Sequence, residues 1–313
     1  MVFTCWFCVC QVDAIDSINF EKKVNELGDK SLDSRFGLVY FCAEVLEGLQ
    51  LIIKRHHLFE FEDQSWCPKF VRDGVTGALC RAVVTLRIYD PIFPLIAQTL
   101  KNTGSRHVLD LCSGLSGPLQ NLRKYFDAND MSDVRLTASD LYPSFPELPA
   151  GIDTLEVPLA ANEVPTNRLG MRTLFTSFHH FEDHTARDIL ASAMASHQPI
   201  GVFEYTERSF WAHYKMLYGP AQIWLTTPFN PQVSLLMVLF SYLIPIIPLI
   251  YLWDGLVSNM RTRTVQELRK LVASIDGQSA YDWQIGKKFS WGFMGNITYL
   301  IGQPRDRAVS SGQ

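Results

Sequence analysis

The chain has 313 residues, enough for one large domain or for one domain with a cap. Its net charge of −4 argues against a nucleic-acid partner, because binding phosphates requires a basic surface. The odd count of seven cysteines fits free thiols in a reducing compartment. Cys5, Cys8 and Cys10 lack a fourth ligand at metal spacing, so we predict no metal site.

Apolar residues at spacings of three and four predict a helical N-terminal part, residues 1–104, which we interpret as a cap. The predicted helices cover residues 33–55, 68–87 and a short stretch from Pro91 to Lys101. Asp63 or Ser65 is a candidate N-cap of the second helix.

From residue 105 to 303, short apolar runs alternate with helical stretches, which predicts an α/β domain with a parallel sheet. The predicted strands are 107–111, 134–139, 154–158, 172–178 and one within 199–205, with a closing strand pair at 281–289 and 296–302. The predicted helices are 118–126, 185–196 and 265–274. The polar tail, 304–313, is expected to be disordered.

The turn after the first strand carries a candidate ligand site. The run Val108-Leu-Asp-Leu-Cys-Ser-Gly-Leu-Ser-Gly-Pro118 places a strand, an acid, a glycine turn and a helix in that order. Glycine lets the backbone approach a ligand closely, and ligands bind at the carboxyl ends of strands in open α/β sheets. The candidate cofactor-binding residues are Asp110, Cys112, Ser113, Gly114, Gly117, Asp140, Leu141, Ser177 and Phe178.

The acids in this region favour S-adenosylmethionine over a dinucleotide. A dinucleotide loop needs G-x-G-x-x-G, whereas Cys112 stands at the place of the first glycine. The Asp110 carboxylate would repel a pyrophosphate but suits the cationic methionine end of S-adenosylmethionine, and Asp140 can accept hydrogen bonds from both ribose hydroxyls. The alternatives are that Asp110 caps the loop, Asp140 starts a turn and Gly117 is a packing glycine.

With these residues, the chain from about 105 to 302 resembles the class I S-adenosylmethionine-dependent methyltransferases. V-L-D-L-C-S-G is similar to their first motif, and the strand pair after residue 280 is similar to their terminal hairpin. D-L-C-S-G, F-H-H-F and W-D-G-x-V-S also resemble an uncharacterised methyltransferase subgroup. The resemblance implies a Rossmann-like methyltransferase sheet and this donor. It departs at Ala160, where the family has an adenine-binding acid; Asn162 and Glu163 lie close by.

The resemblance also implies that the segment after strand four faces the transferred methyl group. His179 and His180 lie there, and a histidine can act as general base near neutral pH. Adjacent histidines point in different directions, so at most one faces the site; the alternative is that one packs and the other caps the next helix. Glu204 completes the candidate catalytic set, with Glu207 nearby. A lid is predicted from Glu62, Asp63, Trp66 and Tyr89, or else a helix-capping acid and a core tryptophan.

An insertion, residues 207–255, interrupts the domain and contains an uncharged apolar run over 233–253. Its length fits a membrane span, but one crossing would put parts of a single sheet on opposite sides of the bilayer. Pro245 and Pro248 interrupt a straight helix. We therefore predict a broken helical pair in the membrane interface or a re-entrant hairpin, the alternative being a buried lid or a dimer contact.

Together these features predict methyl transfer from S-adenosylmethionine to a small, apolar acceptor. The predicted location is the cytoplasm or the cytoplasmic face of a membrane, with a membrane surface or re-entrant contact as a partner. Two alternatives stay open: a non-catalytic, membrane-attached ligand-binding module, and a nicotinamide-dependent oxidoreductase.

Overall fold

The structure is a computed structural model that describes residues 54–305. The predicted first helix, the three clustered cysteines and nearly all of the polar tail lie outside this range. From Arg55 onward the described residues belong to one compact unit. The boundary of the cap at residue 104 stays a prediction.

A seven-stranded sheet forms the centre of this unit. Its strands are β1 His107–Asp110, β2 Arg135–Ala138, β3 Ile152–Thr154, β4 Met171–Phe175, β5 Ile200–Glu204, β6 Tyr281–Ser290 and β7 Gly295–Pro304. The spatial order is β3-β2-β1-β4-β5-β7-β6. The first five strands pair in parallel, and β7 runs antiparallel to both β5 and β6. The predicted Rossmann-like α/β sheet with a closing strand pair is confirmed.

The third strand differs from its predicted range, 154–158. It covers Ile152–Thr154, because its partner strand ends where Ala138 pairs with Thr154. The apolar residues of 154–158 therefore lie in the connection after the strand.

Nine α-helices are described within residues 54–305. They are α1 Lys69–Leu86, α2 Phe93–Thr103, α3 Gly117–Asp127, α4 Asp183–Ala195, α5 Phe210–Met216, α6 Gly219–Thr226, α7 Leu235–Val238, α8 Ile246–Arg261 and α9 Val265–Ala273. The predicted N-cap residue of helix α1, Asp63 or Ser65, is wrong: the N-cap residue is Pro68, which makes no side-chain hydrogen bond to the helix. The Asp63 carboxylate contacts His180 and Arg261 instead.

The sheet has an apolar core on each face, because successive strand residues point to opposite sides. Val108 belongs to the core shared with α2 and α3, whereas Leu109 belongs to the core shared with α4 and α9. Burial on both faces explains the short, continuous apolar runs of the parallel strands. A third core joins α1 to the insertion through Val75 and Ile247.

The insertion contains the predicted broken helical pair. The first arm, Leu235–Leu243, is α7 extended by a π-helical turn, and it meets α8 at an angle of 77°. Pro245 lies at the break. No single helix within residues 54–305 is long and apolar enough to cross a bilayer, whereas the bent pair together meets the criteria of length and composition.

Candidate active site at the carboxyl edge of the sheet

The loop between β1 and α3 is held against both neighbouring strands. The Leu111 N–H donates to the Thr173 carbonyl at 2.8 Å, and the Ser113 N–H donates to the Ser139 carbonyl at 2.9 Å. Within the loop, Cys112 and Gly114 both have positive φ, at 55° and 50°. Only glycine adopts this conformation without strain, so the cross-strand bonds must hold Cys112 in place.

Asp110 lies beneath this loop and is buried. Its two carboxylate oxygens accept hydrogen bonds from the Ser113 and Thr173 hydroxyls, both at 2.7 Å. Burial raises the pKa of Asp110 to about 7, although the two hydroxyls favour the charged form. These contacts are those of the loop-capping alternative, and direct contact of Asp110 with a ligand stays a prediction.

Asp140 joins the glycine loop to the end of β2. Its carboxylate accepts the Gly114 N–H at 3.0 Å and the Tyr142 N–H at 2.9 Å. A Cβ atom added to Gly114 would meet no other atom within 4 Å, so the loop borders open space here. Leu141 and Tyr142 are exposed along the same edge. The predicted cofactor residues Gly114, Asp140 and Leu141 thus lie together at the solvent-accessible carboxyl edge of the sheet.

Gly117 has a different role in the structure. A Cβ atom at this position would lie 3.2 to 3.3 Å from the Sγ, Cα and carbonyl oxygen of Cys80 on α1. The absence of a side chain therefore lets α3 pack closely against α1. This is the packing alternative, and a contact of Gly117 with a ligand stays a prediction.

Glu204, at the end of β5, organises the turn that follows β4. Its Oε1 atom accepts the backbone N–H groups of Phe178 at 2.7 Å and His179 at 3.2 Å. Its Oε2 atom accepts the Thr206 hydroxyl at 3.1 Å and lies 2.8 Å from His179 Nδ1. Burial would raise the pKa of Glu204, but attraction to His179 and these hydrogen bonds keep it below its usual value. The carboxylate is therefore charged at neutral pH.

Because the Glu204 carboxylate can only accept hydrogen bonds, His179 donates to it from Nδ1. In the neutral ring Nε2 then carries the lone pair, and this atom is buried without a hydrogen-bond partner among residues 54–305. The ring centroids of His179 and His180 lie 4.3 Å apart. His179 contacts Glu204, whereas His180 faces Asp63 and Glu60. Ser177 lies in the same turn and is buried.

His180 belongs to a charged cluster in which Glu60 and Arg261 were not predicted from the sequence. His180 Nδ1 lies 2.9 Å from Asp63 Oδ1 and 3.5 Å from Glu60 Oε2. Arg261 donates to Asp63 Oδ2 at 2.7 Å and lies 3.2 Å from Glu60 Oε1. Burial lowers the pKa of His180, but the two carboxylates outweigh it and bring the pKa to about 9.

The predicted lid residues have separate contacts. Asp254 on α8 accepts the Phe61 and Glu62 N–H groups at 2.8 and 3.1 Å, which fastens this segment beside the histidines. Trp66 is 64% exposed, so it is not a core tryptophan. The buried Tyr89 hydroxyl contacts the Thr176 hydroxyl near the end of β4. The W-D-G-x-V-S motif, which contains Asp254, was the available sequence signal for this cluster.

Comparison with known proteins adds structural neighbours. No known family model and no curated protein sequence matches the chain. The plantazolicin methyltransferase BpumL in complex with SAH is similar at a TM-score of 0.46 and 13% identity, covering 84% of this chain and 99% of that one. Human N-acetylserotonin methyltransferase in complex with SAM is similar at a TM-score of 0.43 and 13% identity, covering 84% of this chain and 66% of that one. The LepI complex with SAM is similar at a TM-score of 0.39 and 16% identity, covering 64% of this chain and 43% of that one.

These neighbours were crystallised with SAM or SAH, the donor that the sequence predicts and its demethylated product. Since their identities and TM-scores are low, the function of this chain rests on the geometry of its own site.

Proposed function

We propose that the protein is an S-adenosylmethionine-dependent methyltransferase that acts on a small, apolar acceptor. The observation that carries this proposal is the contact between the glycine loop and Asp140, at the carboxyl edge of adjacent parallel strands. Ligands of open α/β sheets bind at this edge. A carboxylate at the end of β2 suits the two hydroxyls of a ribose.

In this proposal the donor lies along the edge formed by the loop after β1 and the residues after β2. Cys112, Ser113 and Gly114 supply the loop, and Asp140 and Leu141 flank the ribose. Asp110 acts through the loop that it fastens, because it is buried, unlike Asp140, and both of its oxygens accept hydrogen bonds from protein hydroxyls.

The catalytic end of the cleft is proposed at the residues after β4 and β5. β4 pairs with β1, and β5 pairs with β4, so the carboxyl ends of both strands lie on the same side of the donor loop. Glu204 orients His179, and the unprotonated Nε2 atom is the group proposed to meet the acceptor and take its proton. The raised pKa of His180 makes it a cation at neutral pH, which suits a role in positioning more than one as base.

The donor assignment is tested by calorimetry with S-adenosylmethionine and NAD. Binding of S-adenosylmethionine is expected in the micromolar range, with none for NAD. Asp140→Ala removes charge-assisted hydrogen bonds worth roughly 1.5–3 kcal/mol, so affinity should fall about tenfold or more. Asp153→Asn is a matched control, because Asp153 pairs on the surface with Arg135.

Two results would contradict this assignment. Unchanged affinity in Asp140→Ala would remove Asp140 from the donor site. Binding of NAD without S-adenosylmethionine would favour the oxidoreductase alternative.

Turnover separates an enzyme from a binding module that keeps only the fold. If His179 is the base, His179→Ala should lower turnover by roughly 100-fold or more while donor binding survives. His184→Ala is the control, since His184 is largely exposed in the following helix. Equal turnover in both variants would leave alignment of donor and acceptor as the source of catalysis.

We also propose that the bent helical pair lies on a lipid surface. The support is a set of exposed apolar side chains on the insertion, which includes Trp211, Leu235, Leu236, Leu243 and Leu249. Tryptophan and tyrosine favour the membrane interface, and each apolar side chain that enters the bilayer adds roughly 1.5–3 kcal/mol at full burial. This position would let an apolar acceptor enter from the lipid.

Flotation with lipid vesicles tests the membrane proposal. The double variant Leu235→Asp and Leu243→Asp changes two highly exposed side chains and should abolish co-flotation without unfolding the protein. Leu169→Asp, exposed outside the insertion, should have no effect. Absence of co-flotation in the wild-type protein would reject the membrane contact and favour the lid or dimer alternatives.

A further inference from the structure

Glu60, His179 and His180 each bring one potential metal-ligand atom to within 4.8 Å of the others. We propose that these three side chains, with Asp63 beside them, bind one divalent transition-metal cation. Local residue spacing does not indicate this site, because Glu60 and the two histidines belong to segments more than a hundred residues apart in the chain. The inference stands on these side chains alone and does not depend on the methyl donor.

His179 has the geometry of a metal ligand. Its Nδ1–H donates to the Glu204 carboxylate at 2.8 Å, which leaves the Nε2 lone pair free. Nε2 is buried and has no hydrogen-bond partner in the described part of the chain. Histidines that bind metals almost always donate their other ring N–H to a carboxylate or carbonyl, which fixes the tautomer. A cation would satisfy the one polar atom of this ring that the protein leaves unpaired.

His180, Asp63 and Glu60 present further ligand atoms, and a cation bound at His180 Nδ1 would displace the proton that this nitrogen shares with Asp63. His180 Nδ1 lies 2.9 Å from Asp63 Oδ1 and 3.5 Å from Glu60 Oε2. Bonds of about 2.0–2.2 Å in tetrahedral or octahedral geometry place adjacent ligand atoms roughly 3–3.6 Å apart. The 3.5 Å separation lies within this range and the 2.9 Å separation just below it, while the ligand atoms of Glu60, His179 and His180 all lie within 4.8 Å of one another.

The second oxygen of each carboxylate is held by other groups. Glu60 Oε1 accepts the Ser258 hydroxyl at 3.1 Å and lies 3.2 Å from Arg261. Asp63 Oδ2 accepts from Arg261 at 2.7 Å. These contacts direct Oε2 of Glu60 and Oδ1 of Asp63 toward the histidines, as outer-shell partners do in metal sites.

The local charge favours a cation. Two carboxylates, those of Glu60 and Asp63, pair with the guanidinium of Arg261, which also lies 3.4 Å from His180 Nδ1. A third carboxylate, Glu204, contacts His179. Imidazole and carboxylate without thiolate suit Zn²⁺, Mn²⁺ or Fe²⁺, and two histidines with one carboxylate are a known ligand set for iron. A cation on Nε2 and the proton-accepting role proposed above for His179 exclude each other, since both use the same lone pair. Cation binding here would therefore replace His179 as the base, and a loss of turnover in His179 variants cannot distinguish the two roles.

Direct titration of the chelator-treated, full-length protein with Mn²⁺ tests the proposal. The electron paramagnetic resonance signal of free Mn²⁺ reports binding, and Mn²⁺ avoids the N-terminal thiols, which prefer softer metals. One saturable site per chain is expected. His179→Gln and Glu60→Gln should each weaken binding by about tenfold or more. His184→Gln, at an exposed histidine of the same segment, should bind like the wild type.

Two outcomes would overturn the proposal. Wild-type protein without a saturable site for Mn²⁺ or Zn²⁺ up to ~1 mM would leave Arg261 and a protonated His180 as the only cations of the cluster. Saturable binding that both variants retain would put the cation elsewhere. The wild-type titration needs no variant to fold, and circular dichroism melting checks each variant. Donor calorimetry gives a separate readout, so failure of the cation site and failure of methyl transfer are distinguishable.

Discussion

Replacing Asp110 by Asn should make the protein more tolerant of high pH. Burial raises the pKa of Asp110 from 3.8 to about 7, so between these values the folded chain holds the proton more tightly than the unfolded chain. Below pH ~4 both states are protonated, and the carboxyl brings no penalty. Between about pH 4 and pH 7 the unfolded chain loses the proton while the folded chain keeps it, so stability falls over this range; above about pH 7 the loss is complete, because the folded state then also holds the buried charge.

The size of the effect follows from the pKa gap. A shift of the pKa from 3.8 to about 7 lowers the free energy of unfolding by ~4 kcal/mol above pH 7. Roughly 1.5 kcal/mol of this loss is already present at about pH 5. Asn has nearly the same shape and can bond both hydroxyls, but it has no charge. The free energy of unfolding of Asp110→Asn, relative to wild type, should therefore rise by roughly 2–3 kcal/mol between about pH 5 and pH 8.

Urea unfolding of both proteins at the two pH values measures this difference, in which all other titrating groups cancel. Asp282→Asn, at an exposed position of β6, is the control and should show no such change. A constant difference between Asp110→Asn and wild type across this range would refute the buried, proton-binding state of Asp110.

Three further predictions concern the frame of the site. Glu204→Gln should lower the free energy of unfolding by roughly 3 kcal/mol, because charge-assisted bonds to two backbone N–H groups become neutral; an unchanged urea midpoint would contradict this. Gly117→Ala should lower the free energy of unfolding by roughly 1–3 kcal/mol, because the added Cβ would crowd Cys80. An unchanged melting temperature would contradict this and show that α1 can shift away from the new methyl group. Thr264→Ala should cost ~1 kcal/mol by removing the capping box with Glu267, and calorimetric melting tests it.

The order of strands and helices was readable from the sequence because it depends on local periodicity. Short apolar runs marked the parallel strands, since each is buried on both faces, and the glycine turn after β1 marked the edge where ligands bind. The break at Pro245 was also predictable, since proline interrupts helical hydrogen bonding whatever surrounds it. Strand three was misplaced because its end depends on the length of its partner strand.

What surrounds each candidate side chain was decided only by the tertiary structure. The sequence identified Asp110 and Gly117 as candidate site residues. It could not show that Asp110 holds the loop after β1 through two hydroxyls, or that Gly117 lets α1 pack closely against α3. It identified His180 and Asp63 separately but not their contact or the arginine that pairs with Asp63, because Arg261 and Asp63 are 198 residues apart in the chain. The local sequence pattern shows which face of a helix or strand is apolar. Contacts between distant segments depend on how those faces pack together, and in this protein the packing brings together the charged cluster beside the histidines.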